Sequence, residues 1–379
     1  MIYLDHNATT PLDQRVLEAM LPFFKQHFGN AASRHEFGTA AHKAVERARE
    51  QVAHAVNAQP AQIIFTSGGT EANNFFIRGA AESLKPTQAA VSAVEHPCVA
   101  KPAENLKNRG WKVRKLAVDG EGRVDMRDLD MALAQGTGIV SAMLANNETG
   151  VIQDVATIAG AARAKGAIVH TDAVQALGKI AVDFGKLNVH AMSLSAHKVY
   201  GPKGAGALIL DKRIELKPLL AGGGHERGMR SGTLNVPAIV GFGASCEIAE
   251  ANLSECDARL RPLRDQLELK LRELNAVIFG ASAKRLPNTS YFSIPGIFGE
   301  TLVVELDKLG FAVASGAACS SMKQGSSEVL AAMDVPDEIA QGAVRVSLGR
   351  GNTPDEIMSF LSTLKAILAR LQNLTAMTI

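Results

Sequence analysis

At about 150 residues per domain, the chain's length of 379 residues predicts two to three domains, or one large domain with an appendage. A hydrophobic fraction of 46% with 21% charged residues is typical of a globular protein and excludes a disordered chain. Because 40 Lys and Arg face 38 Asp and Glu, the formal net charge is only +2, without the basic excess of a dedicated nucleic-acid binder.

The cysteines and the N-terminus indicate the compartment. Four cysteines are too few for a disulfide scaffold in a chain of this length. The N-terminal MIYLDHNATT has neither the basic nor the apolar region of a secretory signal, and no apolar run reaches the length of a membrane span. We therefore expect a cytoplasmic protein with reduced thiols that binds no membrane and no nucleic acid directly.

Short runs rich in Val, Ile and Ala alternate with helical patterns in the first two thirds of the chain. The predicted strands are residues 63–66, 90–95, 111–118, 139–145, 167–172, 191–196 and 204–211. The predicted helices between them are residues 70–84, 98–108, 126–134 and 155–165. This alternation predicts an α/β fold with one seven-stranded, mostly parallel sheet covered by helices on both faces.

The two ends of the chain follow a different pattern. Residues 12–56 predict two helices, and the alternation of strands and helices stops near residue 253. A Leu-rich helix, short strands at 290–294 and 344–348 and a final helix capped by Thr353 follow. We expect a large α/β domain at 14–253 and a smaller α+β domain built from 1–13 and 254–379.

Polar residues follow several predicted strands at their carboxyl ends, where open parallel sheets bind ligands. SGGTEANN (67–74) is a Gly-rich turn that opens a helix, either a phosphate cradle or an ordinary helix start capped by Ser67 or Thr70. The other strand ends carry His96, Asn147, Asp172 with Gln175, and Ser195 with His197 and Lys198. Each residue alone has a structural explanation, as a helix cap, a structural histidine or a solvated lysine.

Together these residues supply the groups that a pyridoxal phosphate site requires. A lysine forms the Schiff base, a carboxylate pairs with the pyridinium nitrogen, and N–H and hydroxyl donors hold the phosphate. Competing motifs are incomplete: HERGM (225–229) lacks the second His of HExxH, SAHK (195–198) lacks the companions of SxxK enzymes, and His96-Pro-Cys98 lacks a second half-site. We expect no intrinsic metal site.

The motifs resemble those of a known family. YLDHNATTP, FGNAASRH, TSGGTEANN, VEHP, ANNETGVIQD, HTDAVQALGK, SLSAHKVYGPKGAGAL, GGGHERGMRSGTLN, SGAACSS and VRVSLGR are similar to the class V aminotransferase group that contains the NifS/IscS cysteine desulfurases. The resemblance spans residues 2 to about 372. It implies a homodimeric fold-type I enzyme with pyridoxal 5'-phosphate that removes sulfur from L-cysteine and releases L-alanine.

The resemblance also implies roles for individual residues. Lys198 would form the Schiff base, Asp172 would pair with the pyridinium nitrogen, and His96 would stack on the ring and help in proton transfer. The further cofactor contacts that it implies are Gln175 and Asn147 at the ring oxygen, Gly69, Thr70, Ser195 and His197 at the phosphate, and Thr233 at the phosphate of the neighbouring subunit. Arg345, assisted by Asn30, would hold the substrate carboxylate.

Cys319 matches the family's persulfide-forming nucleophile, and such a cysteine can be a transient ligand of a nascent iron–sulfur cluster. It lies in SGAACSSMKQGSS (315–327), which has no apolar period, whereas Cys98, Cys246 and Cys256 are expected to be small buried hydrophobes. A mobile, accessible thiolate suits transfer to a second protein.

The sulfur acceptor stays open at this point. The segment after Cys319 matches the long-loop type, which passes sulfur to scaffold or carrier proteins. After NLTAMTI we expect none of the C-terminal extension with which family members dock an iron–sulfur scaffold. Iron–sulfur cluster assembly and thio-cofactor or tRNA synthesis are both compatible with the motifs. A selenocysteine lyase, an aminotransferase and a non-catalytic subunit of the same fold are the alternatives.

Overall fold

The computed structural model describes residues 1–315 and 327–376, with side chains as far as residue 371. The described strands are β1 (Ile2–Tyr3), β2 (Ile63–Thr66), β3 (Gln88–Ser92), β4 (Lys112–Leu116), β5 (Thr137–Ser141), β6 (Ile168–Asp172), β7 (Ala191–Ser195), β8 (Gly206–Leu210), β9 (Val277–Ile278), β10 (Thr289–Ser293), β11 (Phe311–Ala312), β12 (Ala314–Ser315) and β13 (Ala343–Ser347). The described helices are α1 (Gln14–Lys25), α2 (Glu36–Ala55), α3 (Gly69–Ser83), α4 (Pro97–Asn105), α5 (Met126–Ala134), α6 (Val155–Ala164), α7 (Phe184–Leu187), α8 (Val236–Ala251), α9 (Leu253–Glu273), α10 (Gly299–Lys308), α11 (Glu328–Ala332), α12 (Asp337–Ala340) and α13 (Pro354–Ala376).

The large sheet has the strand order β2-β8-β7-β6-β5-β3-β4 within the described residues. Strand β8 runs antiparallel to β2 and β7, and the other neighbours are parallel. The predicted seven-stranded, mostly parallel sheet is confirmed. Several predicted strands were too long at the carboxyl end, because apolar residues such as Val94 and Leu144 remain buried in the turns that follow.

Apolar cores cover both faces of this sheet. One contains Val45 and Val52 of α2 together with Ile158 of α6 and Phe242 of α8. The opposite core is built around Phe75 and Phe76 of α3, Leu106 and Trp111. Each buried aliphatic or aromatic side chain stabilises the fold by about 1.5–3 kcal/mol. With both faces covered, the carboxyl edge of the strands is the part of the sheet open to a ligand.

A further core lies over the smaller sheet, whose strand order is β12-β13-β10-β9. It contains Leu267 of α9 and Leu364 of α13, and Leu4 of the N-terminal segment packs there as well. Helix α13 begins with a reciprocal cap, since the Thr353 N–H donates to Glu356 Oε2 at 3.1 Å and the Glu356 N–H donates to Thr353 Oγ1 at 3.3 Å. None of the helices in the described part of the chain has the length and apolar character of a membrane span.

Candidate active site

A cavity of about 600 Å³ opens at the carboxyl edge of the large sheet. The loops after β2, β3, β5, β6 and β7 line it together with the N-terminal segment. The predicted site residues that the structure brings together here are Gly69, Thr70, His96, Asn147, Asp172, Gln175, Ser195, His197, Lys198 and Arg345. A pocket with convergent polar groups at strand ends is where an α/β protein binds a small ligand.

One end of the cavity is suited to an anion. Helix α3 starts after Gly68, and no side chain caps its N-terminus, so the predicted cap by Ser67 or Thr70 is wrong. Gly69 permits the Val174 side chain to pack closely against the start of α3, because a Cβ at position 69 would lie 2.7 Å from Val174. Ser195 Oγ is buried without a hydrogen-bond partner among the described residues. Uncapped helix N–H groups and a hydroxyl lacking a partner are donors available to a phosphate.

His197 lies beside this end of the cavity. Its Nδ1 is 3.1 Å from Thr9 Oγ1. Burial, reinforced by Lys198 and Lys203, lowers the pKa of His197 to about 4. The imidazole is therefore neutral near pH 7 in the protein alone, and the positive charge at this end comes from the lysines.

Lys198 follows β7 in a short 3₁₀ turn, Ala196–Lys198. Its Nζ donates to the backbone oxygens of Asn7 at 2.5 Å and Ala8 at 2.7 Å. These carbonyls come from the N-terminal segment, which crosses above the strand end. They hold the amine at the wall of the cavity.

Asp172 is the last residue of β6 and is only 4% exposed. Its Oδ2 accepts from Asn73 Nδ2 at 2.7 Å, and its Oδ1 accepts from the Val174 N–H at 2.9 Å. Burial raises the pKa of Asp172 against the opposing effect of these bonds. Burial and Asp172 also raise the pKa of the neighbouring Glu95 to about 8. A cationic ligand beside this buried pair would stabilise the ionised form of Asp172.

His96 caps helix α4, since its Nδ1 accepts from the Cys98 N–H at 3.1 Å. In the neutral ring the proton is then carried by Nε2. The pKa of His96 is lowered by burial, and Lys198 lowers it further while Asp172 opposes the shift. The structure thus presents a neutral imidazole as one wall of the cavity, able to stack on a planar ligand.

Cys98 lies in this wall, contrary to the prediction of a small buried hydrophobe. Its Sγ is 2.9 Å from His96 Nδ1 and 3.0 Å from Asn73 Nδ2, and it lines the cavity. Burial raises the pKa of Cys98 to about 12, so the thiolate is disfavoured. Cys256 is also only partly buried, and Cys246 alone of these three is fully buried.

Gln175, Asn147 and Arg345 also line the cavity. The Gln175 Nε2 donates to the Asn7 backbone oxygen at 3.0 Å. Arg345 donates from Nη1 to the Asn147 backbone oxygen at 2.9 Å and from Nη2 to Asp5 Oδ1 at 2.6 Å. Its Nε has no partner among the described residues, which leaves a donor for an incoming anion.

Two predicted site residues do not line this cavity. Asn30 is exposed between α1 and α2, and its Oδ1 accepts from the Ala32 N–H at 2.9 Å. Thr233 is exposed in the loop that precedes α8. Neither is among the described residues that line the cavity. Cys319 lies outside the described residues.

Sequence reasoning missed the residues that support the site from behind. Asp5 and Asn7 lie in the motif YLDHNATTP, which predicts no role for them, but the Asn7 backbone oxygen accepts from Lys198 and the Asp5 carboxylate accepts from Arg345. Asn73 follows Thr70 by three residues, so the two lie on the same face of α3. This spacing could have identified Asn73 as a residue that faces the cavity. Lys179 is four residues after Gln175 in a segment of turns, and the two side chains contact each other.

Comparison with known proteins places the chain in a class. The model of the class V aminotransferase family matches residues 2–360. A NifS-like protein of known structure superposes with a TM-score of 0.92 at 39% identity, covering 97% of this chain and 99% of the other. The chain belongs to the class V aminotransferase family.

Within the family the relatives are more specific. A cysteine desulfurase from Gluconacetobacter diazotrophicus is 43% identical over 99% of this chain and 95% of its own length. A structure of SspA in complex with cysteine superposes with a TM-score of 0.82 at 31% identity, covering 92% of this chain and 99% of the other. The particular group is thus the cysteine desulfurases of NifS/IscS type.

Proposed function

We propose that this protein removes sulfur from L-cysteine with pyridoxal 5'-phosphate as its cofactor. The Cβ–S bond of the substrate breaks, the substrate sulfur forms an S–S bond with Cys319, and L-alanine is released. One thiol and one cysteine enter and one persulfide and one alanine leave, so atoms and electrons balance. Membership of the family and the cysteine desulfurases among its relatives support this reaction.

The observation that best supports this function is that Lys198 and Asp172 line one cavity, with hydrogen-bond donors for a phosphate at one end of it. Lys198 supplies the amine for the cofactor's aldehyde, and Asp172 supplies a buried carboxylate for the pyridinium nitrogen. Ser195 Oγ and the uncapped start of α3 supply donors for the phosphate. These residues fit the cofactor.

When bound, the cofactor provides an electron sink for the bonding electrons at the substrate Cα. Lys198 Nζ takes the proton from Cα and later returns a proton to the carbon fragment. His96 covers one face of the site and carries a proton on Nε2, positioned for transfer. The Arg345 guanidinium, anchored by Asp5, binds the substrate carboxylate.

Several finer assignments belong to this proposal. Two copies form a homodimer, in which Thr233 reaches the phosphate of the neighbouring cofactor and Asn30 assists substrate binding. The smaller unit of 1–13 and 254–379 carries Cys319, and the larger unit of 14–253 binds the cofactor. The persulfide passes to an acceptor or scaffold protein for iron–sulfur cluster assembly or for thio-cofactor or tRNA synthesis, in the cytoplasm.

Turnover of L-cysteine tests the reaction, with alanine, sulfide and protein persulfide measured together. We expect one alanine per sulfur, loss of persulfide in Cys319→Ser with the cofactor's visible absorbance retained, and loss of that absorbance in Lys198→Ala. Cys256→Ala is the matched control, since that thiol packs against the core of the small sheet. Persulfide formation by Cys319→Ser at the wild-type rate, or transamination without sulfur release, would refute the assignment.

A further inference from the structure

Lys179 is a buried lysine that lies behind the cavity and does not line it. It is 7% exposed and follows Gln175 by four residues. Its Nζ donates to Gln175 Oε1 at 2.7 Å and to Asn7 Oδ1 at 2.9 Å. Among the described residues no carboxylate forms an ion pair with it.

The two hydrogen bonds determine the orientation of the Gln175 carboxamide. An amide has an oxygen edge and an NH₂ edge of nearly equal shape, and its neighbours decide which way round it lies. Because Lys179 Nζ donates, the oxygen edge of Gln175 must face it. The NH₂ edge is then turned away, where one hydrogen goes to the Asn7 backbone oxygen at 3.0 Å and the second is a donor for the cavity that Gln175 lines.

Asn7 is oriented by the same lysine. Its Oδ1 also accepts from Asn288 Nδ2 at 3.2 Å, and its Nδ2 donates to the Asn147 backbone oxygen at 3.2 Å. The backbone oxygen of Asn7 in turn accepts from Lys198. Lys179 therefore connects Gln175 with the carbonyl that holds the Schiff-base lysine.

Packing alone does not account for a lysine at this position. Burial lowers the pKa of Lys179 far below its ordinary value, and the positive charges of Lys198 and Arg345 lower it further. A methionine would fill the same space without this desolvation cost. What lysine adds is a pair of donated hydrogens, which both the charged and the neutral amine supply.

We propose that Lys179 is a positioning residue that holds Gln175 with its NH₂ edge as the donor toward the ring oxygen of the cofactor. The inference rests on the proposed function, because it assigns a partner within the same site. Removal of the Nζ donors allows the Gln175 amide to rotate, and an oxygen edge facing the ring oxygen would repel it.

Binding of pyridoxal 5'-phosphate to the apoprotein of Lys179→Met tests the proposal, with Lys186→Met as the control. The Lys186 side chain is 86% exposed, and Lys186 does not line the cavity. We expect the dissociation constant to rise about tenfold, the effect of one lost hydrogen bond with an unsatisfied partner. We also expect the pH titration of the cofactor's visible absorbance to shift relative to the wild type.

A double-mutant cycle separates positioning from a general structural role. If Lys179 acts through Gln175, the change caused by Lys179→Met is smaller in a Gln175→Ala background, where only the contact of Lys179 with Asn7 remains to be lost. Equal changes in both backgrounds, or an unchanged titration in Lys179→Met, would overturn the inference. Lys179→Gln keeps an NH₂ donor group on a shorter side chain, so we expect its dissociation constant to lie between those of the wild type and Lys179→Met. It is the second variant if Lys179→Met does not fold.

These measurements distinguish a failure of the proposed function from a failure of this inference alone. Failure of the wild-type chain to bind the cofactor would refute both the function and this inference. Cofactor binding by the wild type, lost in Lys198→Ala but unaltered in Lys179→Met, would refute the inference alone.

Discussion

Replacement of Asn73 by alanine tests how a hydrogen bond favours the ionised form of the buried Asp172. Asn73 Nδ2 donates to Asp172 Oδ2 at 2.7 Å, and both side chains are buried. A hydrogen bond to a charged group contributes about 1.5–3 kcal/mol. Its loss therefore raises the pKa of Asp172 further.

The direction of the effect on cofactor affinity follows from the negative charge that the cofactor's pyridinium nitrogen requires on Asp172. Burial already raises the pKa of Asp172, and the Asn73 bond counteracts part of that shift. In Asn73→Ala the carboxyl is therefore protonated at a higher pH than in the wild type, so the pairing with a pyridinium nitrogen is lost earlier as the pH falls. Cofactor affinity weakens most at the acidic end of the range.

The assay is titration of the apoprotein with pyridoxal 5'-phosphate at a series of pH values. Asn74→Ala is the matched control, because the Asn74 side chain is more exposed and donates to the Thr70 backbone oxygen at 3.0 Å instead. An acidic limit of cofactor binding that is the same in Asn73→Ala, Asn74→Ala and the wild type would refute the reasoning.

Three further perturbations follow from described contacts. Arg49→Met leaves the Glu226 carboxylate buried without the guanidinium that binds it through two hydrogen bonds of 2.7–2.8 Å. We expect the free energy of unfolding, measured with denaturant, to fall by about 3–5 kcal/mol. A loss below about 1 kcal/mol would contradict this. Ser327→Ala removes the cap of α11 and a donor to Glu148, and we expect a loss of about 1–2 kcal/mol in the same measurement; unchanged unfolding would argue against the cap. Arg345→Lys removes the forked guanidinium, so we expect a higher KM for L-cysteine with the cofactor's absorbance retained; an unaltered KM would exclude Arg345 from carboxylate binding.

Much of the cavity was predictable because its residues obey a local rule. Apolar runs mark the strands, and the residue that follows a parallel strand lies at the ligand-binding edge of the sheet. His96, Asp172 and Lys198 were found in this way, each beside its own strand. The Thr353 cap of α13 was equally local, since donor and acceptor are three residues apart.

The supporting contacts were not predictable in this way, because they join residues far apart in the chain. The bond from Lys179 to Asn7 spans 172 positions, and that from Arg345 to Asp5 spans 340. Cys98 was misjudged for the same reason: whether a cysteine after a strand faces the core or the cavity depends on the helix that packs against it.

The sequence by itself determined the strands, the helices and the chemical groups at the strand ends of this protein. Those features depend on the spacing of residues that are close along the chain. Only the tertiary structure decided which buried groups support them, because the N-terminal segment must cross the sheet before Asn7 meets Lys179 and Lys198. Desolvation, which displaces the pKa values of Asp172 and Lys179, likewise arises only when distant elements close over the site.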